Sequence, residues 1–265
     1  MPEFEHDGWR LAYEDRGEGP AVLLVHGVLM DRTMFDPQVE ALADRWRFVT
    51  PDLRGHGESE HRRAGYTQWD LMEDHVALLD HLGIDRAVWG GVSQGGFQSL
   101  RAALRHPDRV AGLVLIDSQA GPEDPNRAPM YEASAAVAAE SGWNEDILGI
   151  AAQMIIGANA PDELKRHWIE RWSTQDTSDA VEVIEVVTRR DDVTDRLGEI
   201  EAPAVVIHGE DDIAIEMDLA RTLADGLPGL VELVTVPAAG HSSTVENPQP
   251  VTSAIERFLQ KVWPA

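Results

Sequence analysis

Short apolar runs of strand length alternate with segments of helical period along much of this 265-residue chain. The runs are Ala21 to Val25, Phe48 to Leu53, Ala87 to Val92, Val110 to Ile116, Ala204 to His208 and Leu230 to Val236. Runs that are apolar at nearly every position are expected of strands covered on both faces. Strand–helix alternation of this kind implies a mostly parallel sheet with helices on both sides. The chain is therefore predicted to adopt an α/β fold.

The segments between these runs carry helical spacing and helix-ending signals. Helices are predicted over Phe35–Asp44, Trp69–Leu82, Gln94–His106, about Glu216–Leu227 and Pro250–Val262. Gly83 and Pro107 stand where the second and third of these should stop. At the start of the chain, Glu3–His6 and Trp9–Glu14 are expected to form a hairpin that turns at Asp7-Gly8.

One stretch breaks the alternation. From about Gln119 to Glu201 there is no convincing strand, and helices are expected near Met130–Glu140, Asp146–Ile156, Asp162–Trp172 and Asp179–Arg190. Because strands resume at Ala204, we interpret this stretch as an insertion rather than as a separate domain. The predicted division is a core of residues 1–118 and 202–265 with a helical cap over residues 119–201.

Composition limits the classes of function. The chain has 47 acidic and 22 basic side chains, a net charge of −25, and no cysteine. We expect such a chain to avoid nucleic acid and anionic membranes, and thiol chemistry is excluded. The first residues lack a basic, apolar leader, and no apolar run reaches the roughly 18 residues of a membrane span, so a cytoplasmic location is expected. The oligomeric state is left open.

The motif Gly91-Val92-Ser93-Gln94-Gly95 lies between a predicted strand and a predicted helix. A sharp turn there would hold the Ser93 hydroxyl above the sheet, and flanking glycines would avoid Cβ clashes. The Gln94 N–H would sit at a helix N-terminus, where partial positive charge can stabilise an oxyanion. Ser93 is the candidate nucleophile.

A serine nucleophile needs a base, and His241 is the candidate because it follows the last predicted strand. His75 and His81 fall within a predicted helix and His106 at a helix end, so we expect these three at the surface. The base in turn needs a carboxylate. Glu210-Asp211-Asp212 follows the penultimate strand, and Asp212 is preferred, with Asp211 second and Glu210 third.

A second oxyanion donor is expected in the loop after Ala21–Val25. Gly27 permits close approach there, and the Val28 N–H is the candidate donor. We assign His26, Arg54 and His56 to ordering of the neighbouring loops. No histidine and carboxylate spacing typical of a metal site, no G-x-G-x-x-G after the first strand and no Walker loop is present, so no metal and no cofactor is predicted.

Taken together, these motifs resemble the α/β-hydrolase superfamily over essentially the full length. The resemblance rests on the following segments: Gly17–Pro20, His26-Gly27, Asp52–Ser59, Gly91–Gly96, His106–Val110, Gly209–Asp212 and Gly240-His241. It implies an eight-stranded sheet that is antiparallel only at its second strand, with a helical cap after the sixth. It also implies Ser93 as nucleophile, Asp212 as acid, His241 as base, and Val28 and Gln94 as the oxyanion hole.

Within the superfamily the chain is similar to small capped esterases, 3-oxoadipate enol-lactonases and cofactor-free haloperoxidases. The lactonases and haloperoxidases often have Met after the nucleophile, where this chain has Gln94. The predicted function is hydrolysis of a carboxylic ester or lactone, a small-molecule substrate, through an acyl-enzyme. Perhydrolysis or haloperoxidase-type chemistry, carbon–carbon bond hydrolysis on the same triad, and a slow-turnover ligand receptor remain alternatives.

The predicted cap carries large apolar side chains that could face either the substrate or the interior of the cap. These are Met130, Trp143, Met154, Ile155, Trp168 and Trp172. For each of them packing within the cap is the favoured interpretation.

Overall fold

The structure, a computed structural model, describes residues 1–264. Its strands are β1 (Glu3–His6), β2 (Trp9–Arg16), β3 (Ala21–Val25), β4 (Arg47–Pro51), β5 (Ala87–Val92), β6 (Val110–Ile116), β7 (Ala204–Gly209) and β8 (Leu230–Val236). Its helices are α1 (Asp36–Leu42), α2 (Gln68–His81), α3 (Gln94–Arg105), α4 (Ala128–Ser141), α5 (Glu145–Ile155), α6 (Asp162–Ser173), α7 (Ala180–Thr188), α8 (Met217–Gly226), α9 (Ser243–Glu246) and α10 (Pro248–Val262).

The eight strands form one sheet in the order β1-β2-β4-β3-β5-β6-β7-β8. Strand β2 runs antiparallel to both of its neighbours, and the remaining pairs are parallel. Every residue of β3, β5, β6 and β7 is buried, as expected for apolar strands covered on both faces. The predicted mostly parallel, eight-stranded α/β fold is confirmed.

Strand β4 ends two residues earlier than the prediction of Phe48–Leu53. The Leu53 N–H donates to His26 Nε2 at 3.0 Å instead of to a neighbouring strand, so the ladder stops before it. This hydrogen bond ties the loop after β3 to the loop after β4, and a side chain thus determines where the strand ends.

The prediction that His75 lies at the surface is wrong. Its side chain is 2% exposed, and its Nε2 lies 2.6 Å from Oε1 of Gln98 on α3. His75 falls four residues after Leu71 and three before Leu78, on the face of α2 that packs inward. His81 is exposed and His106 is partly exposed, in keeping with their predicted positions.

Helices α4 to α7 lie between β6 and β7, where the insertion was predicted. Helix α4 packs against α7, and α5 packs against α6. Trp168 and Trp172 of α6 belong to the same hydrophobic cluster as Met30 and Phe35 of the sheet-bearing part. The boundaries of the predicted core and cap stay a prediction. None of the described helices has both the length and the apolar character needed to cross a membrane.

Candidate active site

Ser93 occupies the turn between β5 and α3 with a left-handed backbone, φ 51° and ψ −109°. Such a conformation is strained for a residue with a Cβ. The neighbouring chain holds it: the Ser93 N–H donates to Ile116 O at 2.9 Å, and the Ser93 carbonyl accepts from Ser118 Oγ at 2.9 Å. Hydrogen bonds to β6 and to the loop that follows it thus stabilise the strained backbone conformation of Ser93.

The glycines of the motif allow the turn to pack against β3. A Cβ on Gly91 or on Gly95 would collide with the Val25 carbonyl oxygen. Only glycine therefore permits this approach of α3 to the sheet, which is the physical reason for the spacing of the two glycines around Ser93.

Asp212 and His241 come together from two different loops at the carboxyl edge of the sheet. His241 Nδ1 lies 2.8 Å from Asp212 Oδ2. The other oxygen of Asp212 accepts the N–H groups of Ala214 at 2.8 Å and Ile215 at 2.9 Å. Asp212 thus accepts a hydrogen bond from Nδ1–H of His241, which leaves the Nε2 atom free to act as a base.

The surroundings of His241 favour its charged form. Burial opposes the imidazolium, but the charge and the hydrogen bond of Asp212, helped by Asp117, outweigh burial and raise the pKa of His241 above its ordinary value. A base with a raised pKa holds an abstracted proton more readily, as nucleophile activation requires.

Ser93 and His241 line one cavity of about 130 Å³. The sheet-bearing part contributes Val28, Leu29 and Ile215 to its wall, and α4, α5 and α7 contribute most of the remainder. Of the six large side chains singled out from the sequence, Met130, Trp143, Met154 and Ile155 line the cavity. Trp168 and Trp172 are instead buried in the hydrophobic cluster beneath.

The predicted oxyanion donors Val28 and Gln94 both lie near Ser93. Gly27 packs next to Ser93, which brings the Val28 backbone close, while Gln94 opens α3. Within residues 1–264, neither the Val28 N–H nor the Gln94 N–H donates to a protein acceptor. Two unpaired N–H groups beside a nucleophile are what an oxyanion hole requires. The Gln94 side chain is fully buried and does not line the cavity formed by the described residues.

Two buried histidines order the loop that carries Val28. His56 Nε2 accepts the Leu29 N–H at 3.1 Å, and its Nδ1–H donates to Arg54 O at 2.9 Å. His26 donates from Nδ1 to Gly27 O at 2.8 Å. Burial lowers the pKa of His26 to about 4 and that of His56 to about 3, so both stay neutral and able to accept. Arg54 is held by two hydrogen bonds to Asp74, each 2.7 Å.

Two carboxylates that the sequence did not single out surround the His241 loop. Asp117 accepts Gly209 N–H at 2.8 Å and Ser243 N–H at 2.9 Å, so it joins the loop of Asp212 to the loop of His241. Glu246 accepts N–H groups on both sides of His241. Asp117 directly follows an apolar strand at the same sheet edge as Ser93, and that position is the signal that could have found it.

The unused acids of the acidic loop have other surroundings. Asp211 Oδ2 accepts from Asn159 Nδ2 at 3.0 Å, and Glu210 is exposed. Asp117, His208 and Asp212 could in principle group around an ion. Asp117 already accepts hydrogen bonds from a backbone N–H and from the Ser243 hydroxyl, and Asp212 accepts from a backbone N–H and from His241. His208 Nε2 donates to Ile215 O at 2.9 Å. Each of the three side chains therefore already has a hydrogen-bond partner elsewhere in the chain.

The chain belongs to the α/β-hydrolase fold family, whose profile matches residues 20–248. The resemblance inferred from the motifs is confirmed at this level.

Among solved structures, the chain is similar to a thermophilic esterase from Thermogutta terrifontis that was solved with malate bound. The two are 30% identical with a TM-score of 0.90, and the match covers 98% of this chain and 97% of that one. It is similar to the enol-lactonase from Burkholderia xenovorans LB400 at 27% identity and a TM-score of 0.89, covering 98% and 100%. A non-heme haloperoxidase of Rhodococcus erythropolis is 26% identical over 269 residues, 96% of this chain and 97% of its own length.

Proposed function

We propose that this chain is a serine hydrolase that cleaves a carboxylic ester or lactone through an acyl-enzyme. The observation that carries the proposal is that Ser93 lines the same cavity as His241, whose Nδ1 is hydrogen-bonded to Asp212 at 2.8 Å. A nucleophile, a base and a group that orients the base are thereby available at one edge of the sheet.

In the proposed reaction, Ser93 Oγ attacks the substrate carbonyl while His241 Nε2 takes its proton. The N–H groups of Val28 and Gln94 stabilise the oxyanion of the tetrahedral intermediate. His241 then protonates the leaving alcohol, and the acyl group remains on Ser93. In the second half, His241 activates a water molecule that releases the acid and restores the serine.

The proposal includes a cap of residues 119–201 over a core of residues 1–118 and 202–265. Its support is that α4, α5 and α7 supply most of the cavity wall around Ser93. A roof of this kind excludes water from the acyl-enzyme and selects among substrates.

The test is hydrolysis of p-nitrophenyl esters by the Ser93→Ala variant, with Ser173→Ala as the matched control. Ser173 is an exposed serine near the end of α6. The proposal expects loss of at least about 10³-fold in kcat for Ser93→Ala and an unchanged control. Full activity of Ser93→Ala would contradict the serine mechanism.

A further inference from the structure

The cavity beside Ser93 has a chemical character that narrows the substrate class. We propose, on the basis of the proposed function, that the acyl group transferred to Ser93 is uncharged, apolar and compact. Two observations support this proposal: the apolar composition of the cavity wall and the hydrogen-bond partners of the charged side chains near it.

The wall is apolar on nearly all sides. Helix α5 presents Ile147, Ala151 and Met154 to the cavity, and α7 presents Ile184 and Val187. The volume of about 130 Å³ is close to that of an apolar cavity of roughly 150 Å³ that admits benzene. An acyl chain of about that size fits the space, and burial of its methylene groups stabilises the bound state.

Apart from His241, whose imidazole takes part in the proposed proton transfers, the described residues of the cavity wall offer no positive charge to a bound anion. Among the described residues that line the cavity there is no lysine or arginine. The one acidic side chain in the wall, Glu123, lies 2.9 Å from Arg190 Nη1, and the Arg190 side chain is only 1% exposed. Arg190 also donates to the carbonyls of Gly121 and Val187, and among its donor atoms only the buried Nη2 has no partner within the described residues.

An acyl group that ends in a carboxylate would therefore lose its hydration without gaining a counter-charge. The net charge of −25 acts in the same direction at longer range. The inferred substrates are esters or lactones whose acyl group has no charge of its own, not half-esters of dicarboxylic acids.

The test compares p-nitrophenyl hexanoate with mono-p-nitrophenyl adipate, which has the same chain length and leaving group but ends in a carboxylate. The inference expects kcat/KM for the charged ester to be lower by about 100-fold or more. The Ile184→Lys variant places a cation in the cavity wall. It should reduce the ratio of kcat/KM for the hexanoate to kcat/KM for the adipate at least about tenfold. Val137→Lys is the matched control, because Val137 lies on α4 of the same insertion but is 43% exposed and outside the cavity wall.

Equal kcat/KM for the two esters in the native chain would overturn the inference whether or not Ile184→Lys folds. If Ser93→Ala loses all activity while the two esters react equally, only the substrate class fails. If Ser93→Ala remains active, the serine mechanism fails, and this inference fails with it.

A separate set of contacts concerns the backbone of His241. We infer, again resting on the proposed function, that Glu246 is a positioning residue for His241. Its Oε2 accepts the Gly240 N–H at 2.8 Å, and its Oε1 accepts the Ser242 N–H at 2.9 Å. One carboxylate thus fixes the peptide groups on both sides of the proposed base.

The surroundings of Glu246 connect this clamp to the cavity. Ser242 Oγ donates to the carbonyl of Ile155 at 2.6 Å, and Ile155 lines the cavity. The ionisable groups that face Glu246 are Asp117 and His241, and burial raises the pKa of Glu246 to about 7. A half-buried carboxylate with both oxygens engaged by backbone N–H groups is suited to holding a loop in one conformation.

The test is Glu246→Gln, with Glu201→Gln as the matched control at an exposed position. The glutamine has one oxygen, so its NH₂ group must face one of the two N–H donors. Loss of positioning is expected to lower kcat on p-nitrophenyl hexanoate by about 10- to 100-fold. KM should change less than about twofold, because Glu246 does not line the cavity formed by the described residues.

Two further readouts separate positioning from general stability. The rate of Ser93 phosphonylation should fall in parallel with kcat, while the thermal midpoint stays within a few degrees. If Glu246→Gln does not fold, Glu246→Asp gives the same comparison, because it keeps the charge but shortens the reach. A folded variant with native kcat would overturn the role of Glu246. Since Ser93→Ala is measured in the same series, that result would leave the serine mechanism intact.

Discussion

Asp212 Oδ2 lies 2.8 Å from His241 Nδ1, whereas the adjacent Asp211 hydrogen-bonds Asn159. Both aspartates were candidates for the triad acid, and they are consecutive in the sequence. The turn that follows β7 directs the Asp212 carboxylate inward, where the Ala214 and Ile215 N–H groups hold its second oxygen.

We expect Asp212→Asn to lower kcat on p-nitrophenyl esters by about 10⁴-fold, because an amide can stabilise the wrong tautomer of His241. Asp211→Asn should change kcat less than about twofold. Steady-state kinetics on the two purified variants make the comparison. A large loss in Asp211→Asn with native activity in Asp212→Asn would reverse the assignment.

The loop that carries Val28 is held by a hydrogen bond from Trp172. Its Nε1–H donates to the Leu29 carbonyl at 2.7 Å, and Leu29 has a left-handed φ of 62°. Trp172→Phe removes this buried hydrogen bond, so the free energy of unfolding should fall by about 1–3 kcal/mol. The kcat should fall as well, because the Val28 N–H is no longer held in place.

Denaturant titration and steady-state kinetics on Trp172→Phe check this expectation. Trp69→Phe is the control, since Trp69 also donates from Nε1, at 3.1 Å to Asp191, but at an exposed site. Equal effects of the two substitutions on kcat would argue against a role of Trp172 in holding the loop.

The neutral histidine His56 predicts how acid affects stability. Its folded pKa of about 3 lies below its ordinary value of 6.5, so the unfolded chain binds protons more readily. Stability from this group is therefore fully present above pH 6.5 and is lost as the pH falls toward 3. At pH 5 the loss amounts to about 2 kcal/mol.

In His56→Gln the side chain has no proton to gain, and its oxygen can still accept the Leu29 N–H. The fall in unfolding free energy between pH 7.5 and pH 5 should be about 2 kcal/mol smaller than in the native chain. His81→Gln, at an exposed position, should leave the fall unchanged. A native-like pH dependence in His56→Gln would show that His56 is not the group responsible.

The fold could be predicted closely because its signals are local. Continuous apolar runs predicted the bounds of β5 and β6 to the residue, and the strand–helix context of Ser93 predicted its turn. The helical period also predicted four helices between β6 and β7. Where a boundary depended on a distant side chain, as with Leu53 and His26, the prediction was two residues out.

The surroundings of the candidate site were less predictable, because they depend on which distant residues meet. The division of the large apolar side chains of the insertion between the cavity and the interior depends on how α4 to α7 pack. Nothing in the local pattern distinguishes Met154 from Trp168. For His75, in contrast, the local pattern did carry information. Its spacing from Leu71 and Leu78 indicated an inward position, but its polarity outweighed the spacing in the prediction. Glu246 acts through backbone N–H groups, which leave no mark in the sequence, whereas the position of Asp117 directly after β6 was a signal that the prediction did not use.

The central claim is that Ser93 is the nucleophile of an acyl-enzyme. Its most direct test is treatment of the native chain with a fluorophosphonate, followed by peptide mass spectrometry and residual activity on p-nitrophenyl hexanoate. The account predicts one adduct per chain, located on Ser93, with activity lost in proportion to labelling. An adduct on another residue that accompanies the loss of activity, or full activity in a chain labelled at Ser93, would contradict it.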